Sequence, residues 1–225
     1  MYALIILSLF VFLALAITLP QKYDYIVVGG GTTGLVVANR LSEDPKRTVL
    51  VIENGALGNS TLSSIPGNSG GINLAAMYDM HSAPVPNLGN QSFLVTVGNV
   101  VGGGSYVNGM QFDRGADADY DAWGELGNGD WDWNGLKPYF MKSNHFDAPH
   151  EDTIKAFGMT YDTKAYGDGP LKVSILGHYW SPNSVNKDTG MRSTSRTTYY
   201  DGIVSRKNLK LLPNTTVRNN QLSGS

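Results

Sequence analysis

The sequence predicts an α/β fold around a parallel sheet, and three observations carry that expectation. Tyr25-Ile26-Val27-Val28 is an apolar run of strand length that opens directly into Gly29, Gly31 and Gly34 at the spacing G-x-G-x-x-G. A second apolar run, Thr48-Val49-Leu50-Val51-Ile52, ends on the acid Glu53, 19 residues past Gly34 (53 − 34). Between them, Leu35 to Leu41 has the composition of a helix, and Ser42 to Arg47 is a polar turn containing Pro45. Strand, glycine turn, helix, strand and terminal acid together make a complete β-α-β unit of the dinucleotide-binding type.

Each part of that unit has a physical task. The first strand is expected to be buried, as parallel strands are when helices cover them. Gly29 permits the tight turn out of the strand, Gly31 lets backbone approach a pyrophosphate, and Gly34 lets the helix pack close to the sheet. The N–H groups of Thr32 and Thr33, in the first helical turn, are then free to meet an anion, which the helix dipole favours. Glu53 can accept hydrogen bonds from an adenosine ribose.

Composition narrows the classes of partner. The chain has 225 residues, 41% hydrophobic and 16% charged, with 17 Lys plus Arg against 19 Asp plus Glu and a net charge of −2. No basic run is present, so no nucleic-acid partner is expected. The absence of cysteine excludes disulfides, thiolate catalysis and thiolate metal sites.

Residues 2–19 carry no charge and include Ala14-Leu15-Ala16, which has the small-x-small form of a cleavage site. They read as a secretory signal over residues 1–16, although no Lys or Arg precedes the apolar core. An N-terminal membrane anchor is the competing reading, and with cleavage no stable membrane partner is expected. The sequons at Asn59, Asn90 and Asn214 fit a secretory route and mark candidate glycosylation sites.

After Glu53 and Asn54 the chain makes a long excursion to Asn90, rich in Gly, Asn, Ser and Pro. Phe93 to Val97 is expected to be a short strand leading into a second glycine cluster, Gly98 to Met110. Gly102-Gly103-Gly104 exposes N–H groups without Cβ obstruction, which suits a second contact with phosphate or a flat ring, and Asn108 offers both donor and acceptor. Further on, Gly169 to Ile175 alternates as a strand, and Leu209 to Val217 reads as another.

These residues carry a resemblance. The fingerprint Gly29 to Gly34, the acid Glu53, the cluster Gly98 to Asn108, and then Phe112, Gly115 and Asp121 resemble the glucose-methanol-choline (GMC) oxidoreductases. Asp119-Tyr120-Asp121-Ala122-Trp123 and Leu136 to Ser143 are similar to the fungal-type members. The resemblance implies a three-layer, Rossmann-type FAD-binding domain over residues 17–150, an incomplete α+β substrate domain over 151–198, and a return to the FAD-binding domain over 199–225. It also implies FAD as cofactor. Gly29, Gly31, Thr32, Thr33 and Gly34 would lie at the pyrophosphate and Glu53, with its neighbour Asn54, at the ribose. Gly104, Asn108, Gly109 and Met110 would line the isoalloxazine path, and Val217 would touch adenine.

The activity so implied is oxidation of a small-molecule alcohol by hydride transfer to flavin, with a fungal secondary-metabolite pathway as one setting. The family base is a C-terminal histidine, and none of His81, His145, His150 and His178 matches it. By the resemblance, a helical stretch is missing between Ile175 and Gly177-His178-Tyr179-Trp180. The sequence to Ser225 is less than half the family length, so the base, the second family signature and most of the substrate domain are expected to fall outside it. The alternative reading is a non-catalytic remnant; an NAD-dependent dehydrogenase shares the first unit but not the second glycine cluster. Asp147, His150, Glu151 and Asp152 fit no metal-ligand frame and read as a solvated loop, and Trp123, Trp131, Trp133, Tyr139 and Phe140 as packing.

Overall fold

The structure is a computed structural model that describes residues 22–68, 74–175 and 182–219. The expected signal (residues 2–19) and the expected deletion at Gly177-His178-Tyr179-Trp180 lie outside the described residues. Among those described, no helix is long and apolar enough to cross a membrane.

In chain order the elements are β1 (Tyr25–Val28), α1 (Thr32–Leu41), β2 (Val49–Ile52), α2 (Thr61–Ser64), α3 (Gly104–Val107), α4 (Asp117–Glu125), α5 (Trp133–Ser143), β3 (Asn144–Asp147), α6 (Glu151–Phe157), β4 (Leu171–Ser174), β5 (Val185–Asn186), β6 (Met191–Arg192), α7 (Ser195–Tyr199) and β7 (Leu209–Leu212). The principal sheet is parallel with order β1-β2-β7. Tyr25 pairs with Val49 and Val49 with Leu209, so the three strands end level with one another. Two smaller pairs, β3 with β4 and β5 with β6, complete the sheets among the described residues.

The core follows from alternation along the strands. Val49 and Val51 of β2 point to one face, where they meet Leu35 and Ala38 of α1 and Val101 of the second glycine cluster, with Val27, Leu209 and Leu211 packed around them. Helix α7 joins this layer: Asn39 Nδ2 donates to the Tyr199 carbonyl at 2.5 Å.

The first strand departs from expectation. Ile26 is 58% exposed and Val28 57%, so β1 is not buried. It is an edge strand flanked only by β2, and no described element covers Ile26 and Val28 on the face away from α1. Phe93 to Val97 is likewise no strand: it forms isolated antiparallel bridges, with Val95 N donating to the Met80 carbonyl at 2.8 Å and Tyr78 N to the Val97 carbonyl at 3.0 Å. The excursion beneath it is too irregular to extend a ladder. The strand from Leu209 ends at Leu212, because Pro213 has no N–H to donate to a ladder.

Candidate cofactor site

The site is built where β1 and β2 end. Gly29 extends the ladder by donating to the Ile52 carbonyl at 2.8 Å, then turns with φ +98°, a conformation that disfavours any Cβ. A Cβ at Gly34 would lie 2.0 Å from the Gly29 carbonyl oxygen, so the closeness of α1 to the sheet depends on glycine there. Gly31 is the N-cap of α1 and provides no side-chain cap, and Thr32 and Thr33 are exposed in the first turn. The helix therefore presents N–H groups without side-chain acceptors at the positive end of its dipole.

Glu53 closes the other wall. Its carboxylate is buried, 6% exposed, with Oε2 accepting from Gly30 N and Oε1 from Gly55 N, both at 2.7 Å. The main-chain carbonyl of Glu53 accepts from Thr215 N at 2.9 Å, which brings the segment after β7 alongside. Asn54 donates to Asn99 Oδ1 at 2.7 Å and accepts from the Thr216 hydroxyl, next to the half-buried Val217.

The second glycine cluster meets this turn from a distant part of the chain. Gly102 N donates to the Gly30 carbonyl at 2.8 Å, and Ser105 N to Thr32 Oγ1 at 3.2 Å. Gly103 has φ +51°, and a Cβ there would fall 2.8 Å from Gly31 Cα, so the two loops touch backbone to backbone. The exposed Gly104 follows at the start of α3. The structure thus brings together Gly29, Gly31, Thr32, Thr33, Gly34, Glu53 and Gly104, with Asn54 and Val217 beside them. Asn108, Gly109 and Met110 stand at the opposite end of α3. Asn108 and Gly109 are exposed, whereas Met110 is buried at 3% with φ +67° and donates its N–H to Asn108 Oδ1 at 3.1 Å.

Sequence reasoning missed the residues that tie these pieces together. Ser195 Oγ lies within hydrogen-bond reach of the Gly31 carbonyl at 3.3 Å, the Gly102 carbonyl at 3.4 Å and Ser105 Oγ at 3.2 Å. Arg192, 6% exposed, donates through Nη1 to the Asn108 carbonyl at 2.7 Å and to Asn108 Oδ1 at 2.6 Å, and through Nε to the Ser63 carbonyl at 2.9 Å. Burial holds its guanidinium below the ordinary value, against a smaller opposing effect of Tyr106. No local pattern marks either residue, because their partners lie more than 80 positions away along the chain.

The remaining candidates sit elsewhere. Asn59, Asn90 and Asn214 are all exposed, Asn90 and Asn214 in left-handed turns at φ +59° and +55°. His81 lies near Asp79, His145 between Asp147 and Asp168, and His150 at the N-cap position of α6 without a side-chain cap bond, on elements separate from the two glycine loops; His178 is outside the described residues. Tyr120 stacks on Trp133 with centroids 5.6 Å apart and meets Phe140 at 5.3 Å, so these two of the group are packing, while Trp123, Trp131 and Tyr139 are 46%, 57% and 69% exposed. A cleft of about 680 Å³ runs past Ser60, Tyr106, Lys172, Arg192 and Arg196 and includes none of the residues of the β1–α1 turn.

Comparison with known proteins bears on what this geometry serves. Residues 23–221 match the family described as GMC oxidoreductase. The glucose oxidase-like protein fsoC of Humicola fuscoatra is 35% identical, over 88% of this chain and 40% of its own length. An FAD-dependent oxidoreductase from Chaetomium thermophilum superposes with a TM-score of 0.80 at 34% identity, over 85% of this chain and 38% of that one. A fungal aryl-alcohol oxidase gives 0.74 at 31% identity, over 87% and 39%. The chain thus spans about two fifths of the length of these relatives. Two glycine loops in backbone contact, an uncapped helix start and a buried acid between them fit a dinucleotide, and the matches agree: this chain belongs to the GMC oxidoreductase family, and its cofactor is FAD.

Proposed function

We propose that this chain forms the cofactor-holding part of an oxidoreductase acting on the CH–OH group of a small-molecule alcohol. The observation that carries the reading is the meeting of Gly31 and Gly103, which leaves a side-chain-free floor beneath the exposed first turn of α1. Main-chain N–H groups of Thr32 and Thr33 hold the pyrophosphate there, with Gly29 and Gly34 shaping the turn. Glu53, its oxygens each occupied by one N–H, has lone pairs left to accept from ribose hydroxyls, flanked by Asn54 and Val217 on the adenosine side. Gly104, Asn108, Gly109 and Met110 bound the flavin path. When bound, FAD supplies the two-electron acceptor for the alcohol C–H bond. The alcohol donor is supported by the aryl-alcohol oxidase among the structural relatives. A fungal secondary-metabolite pathway rests on the sequence resemblance alone.

A second reading is favoured by the bare face of β1. Ile26 and Val28 are both more than half exposed, which leaves apolar side chains of the sheet facing water. On that reading the chain is a remnant that folds in part, binds FAD weakly or not at all, and does no chemistry. We further read residues 1–16 as a secretory signal, with the exposed Asn59, Asn90 and Asn214 as glycan acceptors. The two functional readings separate in one experiment: the purified chain carries a flavin absorbance band that bleaches anaerobically on addition of aryl or aliphatic alcohols. A band that alcohols do not bleach removes the oxidoreductase activity from this chain, and a colourless protein that cannot be loaded with FAD supports the remnant.

A further inference from the structure

We propose that Arg192 is a positioning residue that locks the Asn108 side chain so that it meets the flavin as a hydrogen-bond donor only. The inference rests on the placement of Asn108 on the flavin path given above and adds a residue and a polarity to it.

The geometry leaves the amide one orientation. A guanidinium has donors and no acceptor, and the Met110 N–H is likewise a donor. Both converge on Asn108 Oδ1, at 2.6 Å and 3.1 Å. Flipping the amide would set its NH₂ against two donors, so the oxygen stays inward and Nδ2 is the group left for a ligand. The guanidinium is itself fixed: Nη1 bonds the Asn108 carbonyl at 2.7 Å and reaches the Ser105 carbonyl at 3.4 Å, and Nε bonds the Ser63 carbonyl at 2.9 Å. Among the described residues the hydrogen-bond partners of this buried cation are all carbonyl oxygens of main chain or amide. The same lock explains Met110. A non-glycine residue at φ +67° persists only where its surroundings hold it, and here its buried side chain and its N–H bond to Asn108 do so.

Three variants of the full chain test the lock with two ligands and one ligand-free readout. In Arg192→Met, amide exchange at Met110 in the ligand-free protein rises about tenfold or more. FAD binding weakens by about tenfold, while ADP, which does not reach Asn108, binds within about twofold of the parent. Arg192→Lys, which keeps the charge with fewer bonds, falls between, and it carries the test if the methionine variant does not fold. Asn108→Asp keeps an acceptor for Arg192 and replaces the donor by oxygen, so Met110 stays protected while FAD binding weakens.

Equal loss of FAD and ADP in the arginine variants, unchanged exchange at Met110, or full FAD affinity in Asn108→Asp overturns the inference. A parent chain that binds neither nucleotide overturns the proposed function instead, and the exchange measurement still decides whether Arg192 holds the loop.

Discussion

Gly31 stands at the N-cap of α1 with φ −82° and ψ −160°, a conformation open to any L-residue, and a Cβ built there meets only Gly103 Cα, at 3.9 Å. The fold therefore tolerates a side chain at this position. Replacing glycine, a favoured N-cap residue, by valine costs up to about 1 kcal/mol, or at most about 4 °C in melting temperature for a chain of this size. The added atoms of Gly31→Val instead occupy the floor on which the pyrophosphate rests. Lifting it off two main-chain N–H groups forfeits about 1.5–3 kcal/mol for each, together about 3–6 kcal/mol, which raises the FAD dissociation constant by roughly 10²- to 10⁴-fold. Gly34→Ala is the opposite case. Its Cβ falls 2.0 Å from the Gly29 carbonyl oxygen, so α1 must move, at a cost of about 3 kcal/mol or more and a drop of roughly 6–12 °C. Calorimetric FAD titration and thermal melting of the two variants separate the effects. Stoichiometric FAD at parental affinity in Gly31→Val would refute the placement of the pyrophosphate over this turn.

Two other perturbations test the surrounding architecture. Glu53→Gln keeps one acceptor for the Gly30 and Gly55 N–H groups and turns an NH₂ toward the other, leaving a buried N–H unpaired. This destabilises the chain by about 2 kcal/mol, near 6 °C by calorimetry, and weakens adenosine nucleotides together with FAD. Asp24, which accepts from Thr48 N at 2.7 Å and Thr48 Oγ1 at 2.8 Å, has its carboxyl held below the ordinary value chiefly by the Thr48 backbone bond. The stability it contributes is present above the ordinary carboxylate pKa and is lost as pH falls through the lowered folded value. Asp24→Asn flattens the acid limb of the urea midpoint below about pH 4 and leaves the neutral region nearly unchanged.

Much of the cofactor site was legible because its parts are local. A strand, three glycines at fixed offsets, a helix and an acid at the next strand's end are neighbours in sequence; Gly29 and Gly34 do steric tasks of the fold that other residues cannot, and Gly31 keeps the turn clear for a ligand. What was not legible depends on pairings across the chain. The apolar run of β1 looks like a buried strand, yet whether it lies inside depends on which elements flank it, and only β2 does among those described. Phe93 to Val97 has strand composition without a regular partner to complete a ladder.

The sequence by itself determined the β-α-β unit, the backbone conformations that glycine alone permits, and the acid at the end of β2, because all follow from short-range sterics and periodicity. Only the tertiary structure decided that β7 lies beside β2, that Gly103 rests on Gly31, and that Ser195 and Arg192 bind the two glycine loops to α7 and β6. Those are contacts between residues far apart along the chain, and where serine and arginine make them, their donors reach main-chain carbonyls of distant loops.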